Sequence, residues 1–259
     1  MIKVRPGNLE KLVIAVILFG CSLQPAVASH PLITDDTGTQ GGKRAQFELN
    51  GEYGYDREEG GVEKRINVSS IISCGIKERI DIVLGLPLER LQISDAGSEF
   101  IAQGISDIPI EVKWRFIERG NLSLALKPGI TVPTGDHENS LGNGEATYHG
   151  FIIATKKLRA KVFHLNIGYN RNENTLGMRK DLWHASVASE MIFANNIRAV
   201  MNVGIDRNPE ENKSLNPVFL LVGIVYPLVG NVDLDCGLKT GLTGPATDLT
   251  LLLGSAFRF

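Results

Sequence analysis

The chain has 259 residues, of which 43% are hydrophobic and 22% charged, and its formal net charge is −2 at pH 7. This slightly acidic balance disfavours a nucleic-acid partner, and three cysteines are too few for a disulfide framework. Beyond residue 28, no apolar run is as long as the roughly 18 residues that a membrane-spanning helix needs.

The first residues have the three-part layout of a secretory signal peptide. Basic residues precede the apolar run LVIAVILFG at 12–20, and the small-residue sequence AVA follows at 26–28. We therefore expect a cleaved signal peptide at residues 1–28 and export by a Sec-type route. A lipoprotein signal is the alternative, because Cys21 follows the sequence LFG.

Apolar and polar residues then alternate with a period of two, which predicts β-strands. The first stretch, AQFELNGEYGY at 45–55, places Phe47 and Leu49 on one face and Glu48 and Asn50 on the other. Further stretches bring the count to about twelve, at 62–74, 79–88, 108–116, 122–132, 145–157, 161–170, 182–194, 196–206, 217–230, 231–240 and 249–259.

The connections between these strands alternate between long polar loops and tight turns. The polar loops are DREEGG (56–61), QISDAGSEFIAQGIS (92–106), PTGDHENSLGNG (133–144), RNENTLGMRK (171–180), RNPEENKSL (207–215) and GLTGPAT (241–247). Outer-membrane barrels have this pattern, with short periplasmic turns and longer extracellular loops. The predicted fold class is therefore all-β: a closed antiparallel up-and-down transmembrane β-barrel of about 12 strands over residues 43–259.

A soluble β-sandwich is the alternative, since it also joins alternating strands by turns. The barrel is favoured because the apolar positions recur on one face of nearly all strands and the charges lie on the other. Aromatic residues also lie near predicted strand ends, where the interfacial girdles of a barrel would be; they are Tyr53, Tyr55, Trp114, Phe116, Tyr169 and Trp183. Outer-membrane lipid is the expected partner of the apolar faces.

The final stretch, LLLGSAFRF at 251–259, reads as a strand with aromatic residues at its end. A barrel must close, because an unpaired strand edge in hydrocarbon leaves backbone groups without partners. We therefore expect the last strand to pair with the first. Phe257 and Phe259 resemble the C-terminal signal by which the barrel-assembly machinery recognises its clients.

Several stretches resemble one family, the bacterial outer-membrane proteins labelled putative MetA-pathway of phenol degradation. They are HPLITDDTGTQGGKRAQFELNGEY (30–53), DIVLGLPLERL (81–91), GISDIPIEVKWRF (104–116), LALKPGITVPTGD (124–136), DLWHASVASE (181–190) and LLLGSAFRF (251–259). The resemblance implies an outer-membrane transporter of a Gram-negative bacterium, associated with the catabolism of aromatic compounds. No residue in these stretches specifies phenol.

If the apolar faces meet lipid, the polar faces line the interior. Eight acidic and eight basic residues fall on those faces, which predicts cross-strand ion pairs and no strong preference between anions and cations. A filled, purely structural interior is the alternative, because eight-stranded barrels are packed whereas sixteen-stranded porins hold water. The candidate pore-lining residues are Glu111, Lys113, Arg115, Lys127, His164, His184, Glu190, Asp235 and Arg258.

The segment at 29–42 precedes the first strand and is too polar to lie in lipid. It is expected either to plug the lumen or to extend into the periplasm. Asp35 and Asp36 supply oxygen ligands of the kind that calcium prefers, but no EF-hand spacing follows them. We therefore expect no metal site and no cofactor.

His184 and Ser186 raise the question of an enzyme, because the outer-membrane phospholipase pairs a histidine and a serine at this spacing on its lipid face. Here the pair shares its strand face with Glu190, whereas Trp183 takes the other face. The pair is therefore predicted to point into the lumen as polar lining. No enzymatic activity is expected.

The sequence thus favours a passive channel or transporter for small solutes, aromatic ones among them. The loops 92–106 and 133–144 are expected to shape its outer entrance. Two alternatives stay open: a non-conducting structural or receptor-type barrel, and a barrel-embedded lipid hydrolase that uses His184 and Ser186.

Overall fold

Thirteen antiparallel strands make up one sheet in the computed structural model, which describes residues 30–58 and 61–259. The signal peptide predicted at 1–28 lies outside the described residues. No helix in the described ranges is long and apolar enough to cross a membrane. The strands are β1 (Ala45–Glu58), β2 (Gly61–Lys77), β3 (Ile80–Asp95), β4 (Ser98–Ile105), β5 (Ile108–Arg119), β6 (Leu122–Val132), β7 (Thr147–Leu158), β8 (Lys161–Arg171), β9 (Asp181–Ile192), β10 (Arg198–Asp206), β11 (Val218–Val229), β12 (Val232–Gly241) and β13 (Leu249–Arg258).

The sheet closes on itself between its first and last strands. β1 pairs with β13, with Gln46 opposite Arg258, and β1 also pairs with β2 along its other edge. The Ala45 N–H donates to the Phe259 carbonyl (2.8 Å) and the Phe259 N–H donates back to Ala45 (2.9 Å). Twelve of the strands form this closed ring, as predicted.

The thirteenth strand, β4, lies outside the ring. β3 pairs with β5 only over its first residues, Ile80–Leu84, and with β4 over Leu88–Asp95, whereas β2 accompanies β3 along its whole length. The β2–β3–β4 sheet therefore projects beyond the ring.

The sequence prediction that 92–106 is a loop is wrong, because these residues form a β-hairpin. The hairpin turns at Ala96 and Gly97, which both have positive φ values (43° and 89°), as a two-residue hairpin turn requires. Both faces of this projecting hairpin carry polar residues, so the alternation that revealed the other strands is weak here. Similarly, β1 and β2 extend through most of the predicted loop 56–61.

The two ends of the barrel differ in their connections. The end that holds Ala45 and Phe259, here called the terminal end, also carries the tight turns between β2 and β3, β5 and β6, β7 and β8, β9 and β10, and β11 and β12. The opposite, loop end carries the longer connections. The loop between β6 and β7 is fastened by Asp107, whose carboxylate accepts the N–H groups of Gly135 (2.9 Å) and Asn143 (2.7 Å).

The outer surface is apolar and the inner surface is largely polar. In β1, for example, Gln46, Glu48 and Asn50 are buried inside, whereas Leu49 and Tyr53 are exposed outside. Large apolar side chains are exposed on nearly every ring strand, up to 66% for Leu253. A continuous apolar surface of this kind is typical of a lipid-facing barrel.

Aromatic side chains border this surface near both ends. Trp114 and Phe116 lie close together near the terminal end, with ring centroids 5.6 Å apart. Tyr169 and Trp183 lie directly opposite each other in the β8–β9 register near the loop end. The predicted positions near the strand ends are thus confirmed for these four residues.

A closed ring predicts heat-dependent mobility on a detergent gel. Because the backbone hydrogen bonds of a closed barrel are internal, the fold should resist detergent until it is boiled. Unheated and boiled samples should therefore migrate differently, and the unheated sample should have the circular dichroism of a β protein. Identical mobility combined with a helical spectrum would contradict the fold.

Candidate functional site

Residues 30–43, here called the luminal segment, lie inside the ring at its terminal end. At its start, the His30 side chain contacts Asp235 of β12, and Pro31 packs on Gly223 and Gly237. A Cβ atom on either glycine would come within 2.8 to 2.9 Å of the proline ring. These glycines therefore form a seat in the wall that fits Pro31 because they have no side chain.

The other end of the luminal segment joins the wall at β2. The Lys43 N–H donates to the carbonyl of Gly75 (2.9 Å), and the Gly75 N–H donates to the Arg44 carbonyl (2.8 Å). A side chain on Gly75 would overlap the carbonyl of Gly41. The absence of a side chain at Gly75 thus allows the segment to pass along the wall into β1.

Asn202 of β10 holds the first half of the segment and is fully buried. Its Oδ1 atom accepts the N–H groups of Ile33 (2.8 Å) and Thr34 (2.9 Å). Its Nδ2 atom donates to Thr34 Oγ1 (2.7 Å). One amide side chain therefore contacts three polar groups of the segment, and two of them are backbone N–H groups that need an acceptor inside the barrel.

Asp35 forms the charged contact between the segment and the wall. Its carboxylate lies 2.7 Å from Lys113 Nζ of β5 and 3.2 Å from Lys127 Nζ of β6. Lys127 also contacts Glu111 (2.9 Å). We call these four residues the Asp35 latch. Their side chains are only 11 to 18% exposed, so the pairing is screened far less than a surface ion pair.

The second half of the segment contacts β7 and β3. The Thr37 N–H donates to Thr155 Oγ1 (3.1 Å), and the Gln40 N–H donates to Asp81 Oδ2 (2.9 Å). Together with its contacts to β12, β10, β5 and β6, these hydrogen bonds attach the luminal segment to strands on opposite sides of the ring.

An apolar cluster fills part of the interior beside the segment. Leu32 packs there with buried residues of β9, β10, β11 and β13, namely Ala188, Val200, Phe219, Leu221, Val225 and Leu252. The prediction that the interior faces are polar is therefore wrong for β11. This strand is apolar on both faces because one faces lipid and the other this cluster.

A buried ionic network lies next to the cluster. Arg198 contacts Glu190 (3.0 Å) and Asp233 (3.0 Å), and Arg258 contacts the same oxygen of Asp233. Glu190 also contacts His164 Nε2 (2.8 Å). Ionised groups buried to this extent are stable only when they are paired, because desolvation penalises a lone charge.

A cavity of about 180 Å³ lies on the other side of the segment, against β1, β2, β3, β5 and β6. Charged groups of both signs line it, among them Glu48, Asp81, Glu111, Lys113 and Lys127. The interior is therefore divided. The side formed by β8 to β13 is filled by the apolar cluster and the ionic network, whereas the opposite side holds a polar cavity.

A second cavity, of about 390 Å³, lies nearer the loop end. Its lining includes Ile33 of the luminal segment, Phe151, His184 and Asp206. The rings of Phe151 and His184 meet edge to face with centroids 5.8 Å apart. This cavity combines apolar walls with a few polar groups, which is the usual make-up of a small-molecule site.

The nine candidate pore-lining residues fall in different environments. Those that line the first cavity are Glu111, Lys113 and Lys127, and His184 lines the second. His164, Glu190 and Arg258 belong to the buried ionic network. Asp235 contacts the side chain of His30 in the luminal segment. Arg115 pairs with Glu118 at 3.5 Å, near the terminal end.

His184 and Ser186 belong to a hydrogen-bonded chain that includes an acid the sequence did not reveal. His184 Nδ1 lies 2.6 Å from Asp206 Oδ1, and His184 Nε2 lies 2.8 Å from Ser186 Oγ. Thr34 Oγ1 of the luminal segment donates to Ser186 Oγ (2.7 Å). Asp206 is the cross-strand partner of His184 in the β9–β10 register, a relation that only the strand pairing defines.

The loop between β8 and β9 carries its own ion pairs. Glu173 contacts Lys180 (2.6 Å) and Arg171 (2.7 Å). Hydrogen bonds from Lys180 and Arg171 hold the pKa of the Glu173 carboxyl below its ordinary value. These groups lie in solvent and are screened by salt, so they contribute little to stability.

Comparison with known proteins assigns the family. Residues 34–259 match the family described as "Putative MetA-pathway of phenol degradation". The chain belongs to this family. The resemblance seen in the sequence is thus confirmed, and no curated protein matches the chain.

Solved structures show the same fold at low sequence identity. An outer membrane channel from Pseudomonas putida F1 is 12% identical, with a TM-score of 0.67 over 92% of this chain and 100% of that one. The NanC porin is 8% identical, with a TM-score of 0.54 over 82% of this chain and 100% of that one. The translocator domain of the autotransporter NalP from Neisseria meningitidis is 9% identical, with a TM-score of 0.53 over 97% and 94%. These likenesses show that the chain shares the closed-barrel fold of the channel and the porin.

The buried ionic network predicts a large stability effect at Asp233. Replacing Asp233 with Asn leaves Arg258 without a carboxylate partner, whereas Arg198 keeps Glu190, and an uncompensated buried charge costs about 3–5 kcal/mol. Urea unfolding of the protein in lipid vesicles should show a loss of that size.

The matched control for this variant is Glu210→Gln, which breaks an exposed pair with Lys213. It should change the free energy of unfolding by about 1 kcal/mol or less. Equal effects of the two variants would show that the network contributes no more than a surface pair.

Proposed function

We propose that the protein is a passive channel for small solutes in the outer membrane of a Gram-negative bacterium, and that the luminal segment restricts its lumen. The observation that carries this proposal is the polar cavity of about 180 Å³ beside the segment. If the barrel were purely structural, side chains could fill the side of the interior that holds this cavity, as they fill the side formed by β8 to β13. The solute would instead follow the polar side, next to the Asp35 latch.

Small aromatic compounds are the solute class that we propose. The family description refers to phenol degradation, and the second cavity offers Phe151 and Ile33 for ring contacts with His184 and Asp206 for a polar substituent. Described residues show no element that would couple an energy source to transport, so solutes would move down their concentration gradient.

The latch predicts how conductance responds to substitution. Asp35→Asn leaves Lys113 and Lys127 without their shared anion, which weakens the attachment of the segment to β5 and β6. In planar bilayers, single-channel conductance should rise several-fold, and deletion of residues 30–42 should raise it further. The added positive charge should also move ion preference toward anions.

Glu138→Gln is the control, because it removes one negative charge from the exposed turn at His137–Asn139, far from the latch. It should leave conductance unchanged. If the wild type passes no solute, and if deletion of residues 30–42 opens no pore, the channel proposal fails. A structural or receptor-type barrel would then be the better interpretation.

A second candidate function rests on the order Asp206, His184, Ser186, which is the hydrogen-bond order of a hydrolase triad. We favour a structural role for this chain. Ser186 is only 4% exposed, Thr34 occupies its Oγ atom, and the lining of the adjacent cavity includes His184 and Asp206 but not Ser186. In this role, the chain anchors the luminal segment to β9.

Labelling with a serine-reactive fluorophosphonate distinguishes the two roles. A buried Ser186 that anchors Thr34 should not react, so the wild type and Ser186→Ala should show the same background label. Label on the wild type that disappears in Ser186→Ala would instead establish an activated nucleophile. Labelling the variant without residues 30–42 shows whether the segment alone shields the serine.

A further inference from the structure

The outer surface at the terminal end carries an excess of positive charge in one sector, formed by β5 to β8. The turn between β7 and β8 and its flanks have the sequence KKLRAK (156–161), which contains four basic residues and no acidic one. Arg119, at the end of β5, adds a fifth. By contrast, the β2–β3 turn carries charges of both signs, and residues 194–196 and 230–231 of two other tight turns are uncharged. Positive charge is therefore concentrated on one side of the ring.

The strand register places three of these cations on the outer face of the wall. Arg119 of β5 lies opposite Leu122 of β6, and Leu122 lies opposite Lys156 of β7. Residues directly opposite each other in an antiparallel pair share a face of the sheet, and Leu122 is exposed on the lipid-facing side. Lys161 of β8 is diagonal to Lys156, because its direct partner is Leu158, two residues further along β7. We call Arg119, Lys156 and Lys161 the basic patch.

The basic patch extends over neighbouring positions of the wall. Adjacent strands lie about 4.8 Å apart, so the backbones of Arg119 and Lys156 are about 10 Å apart across Leu122. The Cβ atoms of diagonal partners such as Lys156 and Lys161 are about 7–8 Å apart. The three charged groups therefore form a row along the rim of the barrel, as contacts with headgroup phosphates in a lipid leaflet require, and not a ring around one point.

The basic patch has no acidic neighbour on the outer face. Among residues 30–58 and 61–259, no carboxylate forms an ion pair with any of its three cations. Glu118, which is next to the patch in sequence, pairs instead with Arg79 (3.9 Å) and Arg115 (3.5 Å). It lies opposite Ser123, whose hydroxyl contacts Thr37 of the luminal segment, so it is on the inner face. The counter-charge for the patch therefore comes from its surroundings.

Exposed apolar side chains surround the basic patch, which places it at the border of the lipid-facing surface. Phe163 lies opposite Lys156, and Met191 lies opposite Lys161. Both apolar residues are exposed, as is Leu158. Cations interleaved with exposed apolar side chains are typical of a membrane interface, where their alkyl stems lie against acyl chains while the charged groups reach the headgroups.

We propose that the basic patch binds the headgroups of anionic phospholipids. Phosphate oxygens accept charge-assisted hydrogen bonds from Arg and Lys, and a headgroup with a net negative charge supplies the missing counter-charge. A zwitterionic headgroup carries its own ammonium group, which the patch would repel. Because the tight turns of an outer-membrane barrel face the periplasm, the lipid belongs to the periplasmic leaflet. The proposal rests on the closed barrel and requires no conduction.

The two tryptophans of the chain allow a site-resolved test, because they lie near opposite ends of the barrel. Trp114 lies opposite Leu126 of β6, four residues from Leu122, so the acyl chains of a lipid held at the basic patch lie beside it. In Trp183→Phe, only Trp114 fluoresces as a tryptophan. In lipid vesicles, brominated phosphatidylglycerol should quench it with a several-fold higher relative binding constant than brominated phosphatidylcholine.

Removing the charges of the basic patch should abolish this preference. The variant is Arg119→Gln/Lys156→Gln/Lys161→Gln in the Trp183→Phe background, and its heat-dependent mobility shows whether it is folded. Equal quenching of Trp114 by the two lipids before the charges are removed overturns the proposal. A preference that persists in the folded triple variant also overturns it.

The matched control removes the same number of charges from exposed positions at the loop end. Arg57→Gln/Lys180→Gln/Lys213→Gln should retain the preference, since these residues lie at the opposite end of the barrel from the basic patch. In Trp114→Phe, the remaining Trp183 should show a much smaller preference than Trp114 does. Equal loss of the preference in the control variant would assign it to net charge alone and contradict a specific patch.

Discussion

The structure depends on one constraint: in hydrocarbon, a backbone N–H or C=O without a partner costs several kcal/mol. The pairing of β1 with β13 meets this constraint by removing the last open edge of the ring. The apolar outer surface, the aromatic borders and the tight turns at the terminal end are compatible with lipid only because the ring is closed. β4 remains outside, where water can satisfy its free edge.

Closure also buries polar and charged groups, because the alternation that places Leu49 in lipid places Glu48 and Asn50 in the interior. The charged groups are balanced in different ways on the two sides of the interior. Arg198 and Arg258 bring Glu190 and Asp233 into a network of wall residues. On the other side, the balancing charge for Lys113 and Lys127 comes largely from the luminal segment, so this segment is part of the electrostatic design of the wall.

Period-two alternation was sufficient to predict the twelve ring strands and their lipid-facing sides, because each residue's face follows from its position within the strand. It failed for β4, which has water on both sides, and for the inner face of β11, where Leu221 and Val225 are as apolar as the lipid-facing residues. The apolar run at 217–230 carried a signal for that cluster, since it does not alternate. The partners of Asp35 had no local signal: Lys113 lies 78 residues away in sequence. The roles of Phe257 and Phe259 in assembly stay a prediction.

The attachment of His30 to Asp235 also changes the length of the loop that closes when β1 pairs with β13. Without this attachment, the two strands are separated by roughly 200 residues of chain. Once His30 and Pro31 occupy their seat on β11 and β12, only about 15 residues separate that anchor from the start of β1. Since each doubling of a loop costs about 0.6 kcal/mol, about 2 kcal/mol of the entropic cost moves from the final strand pairing to the earlier seating of His30 and Pro31. The luminal segment therefore acts as a tether that brings the first strand to the last.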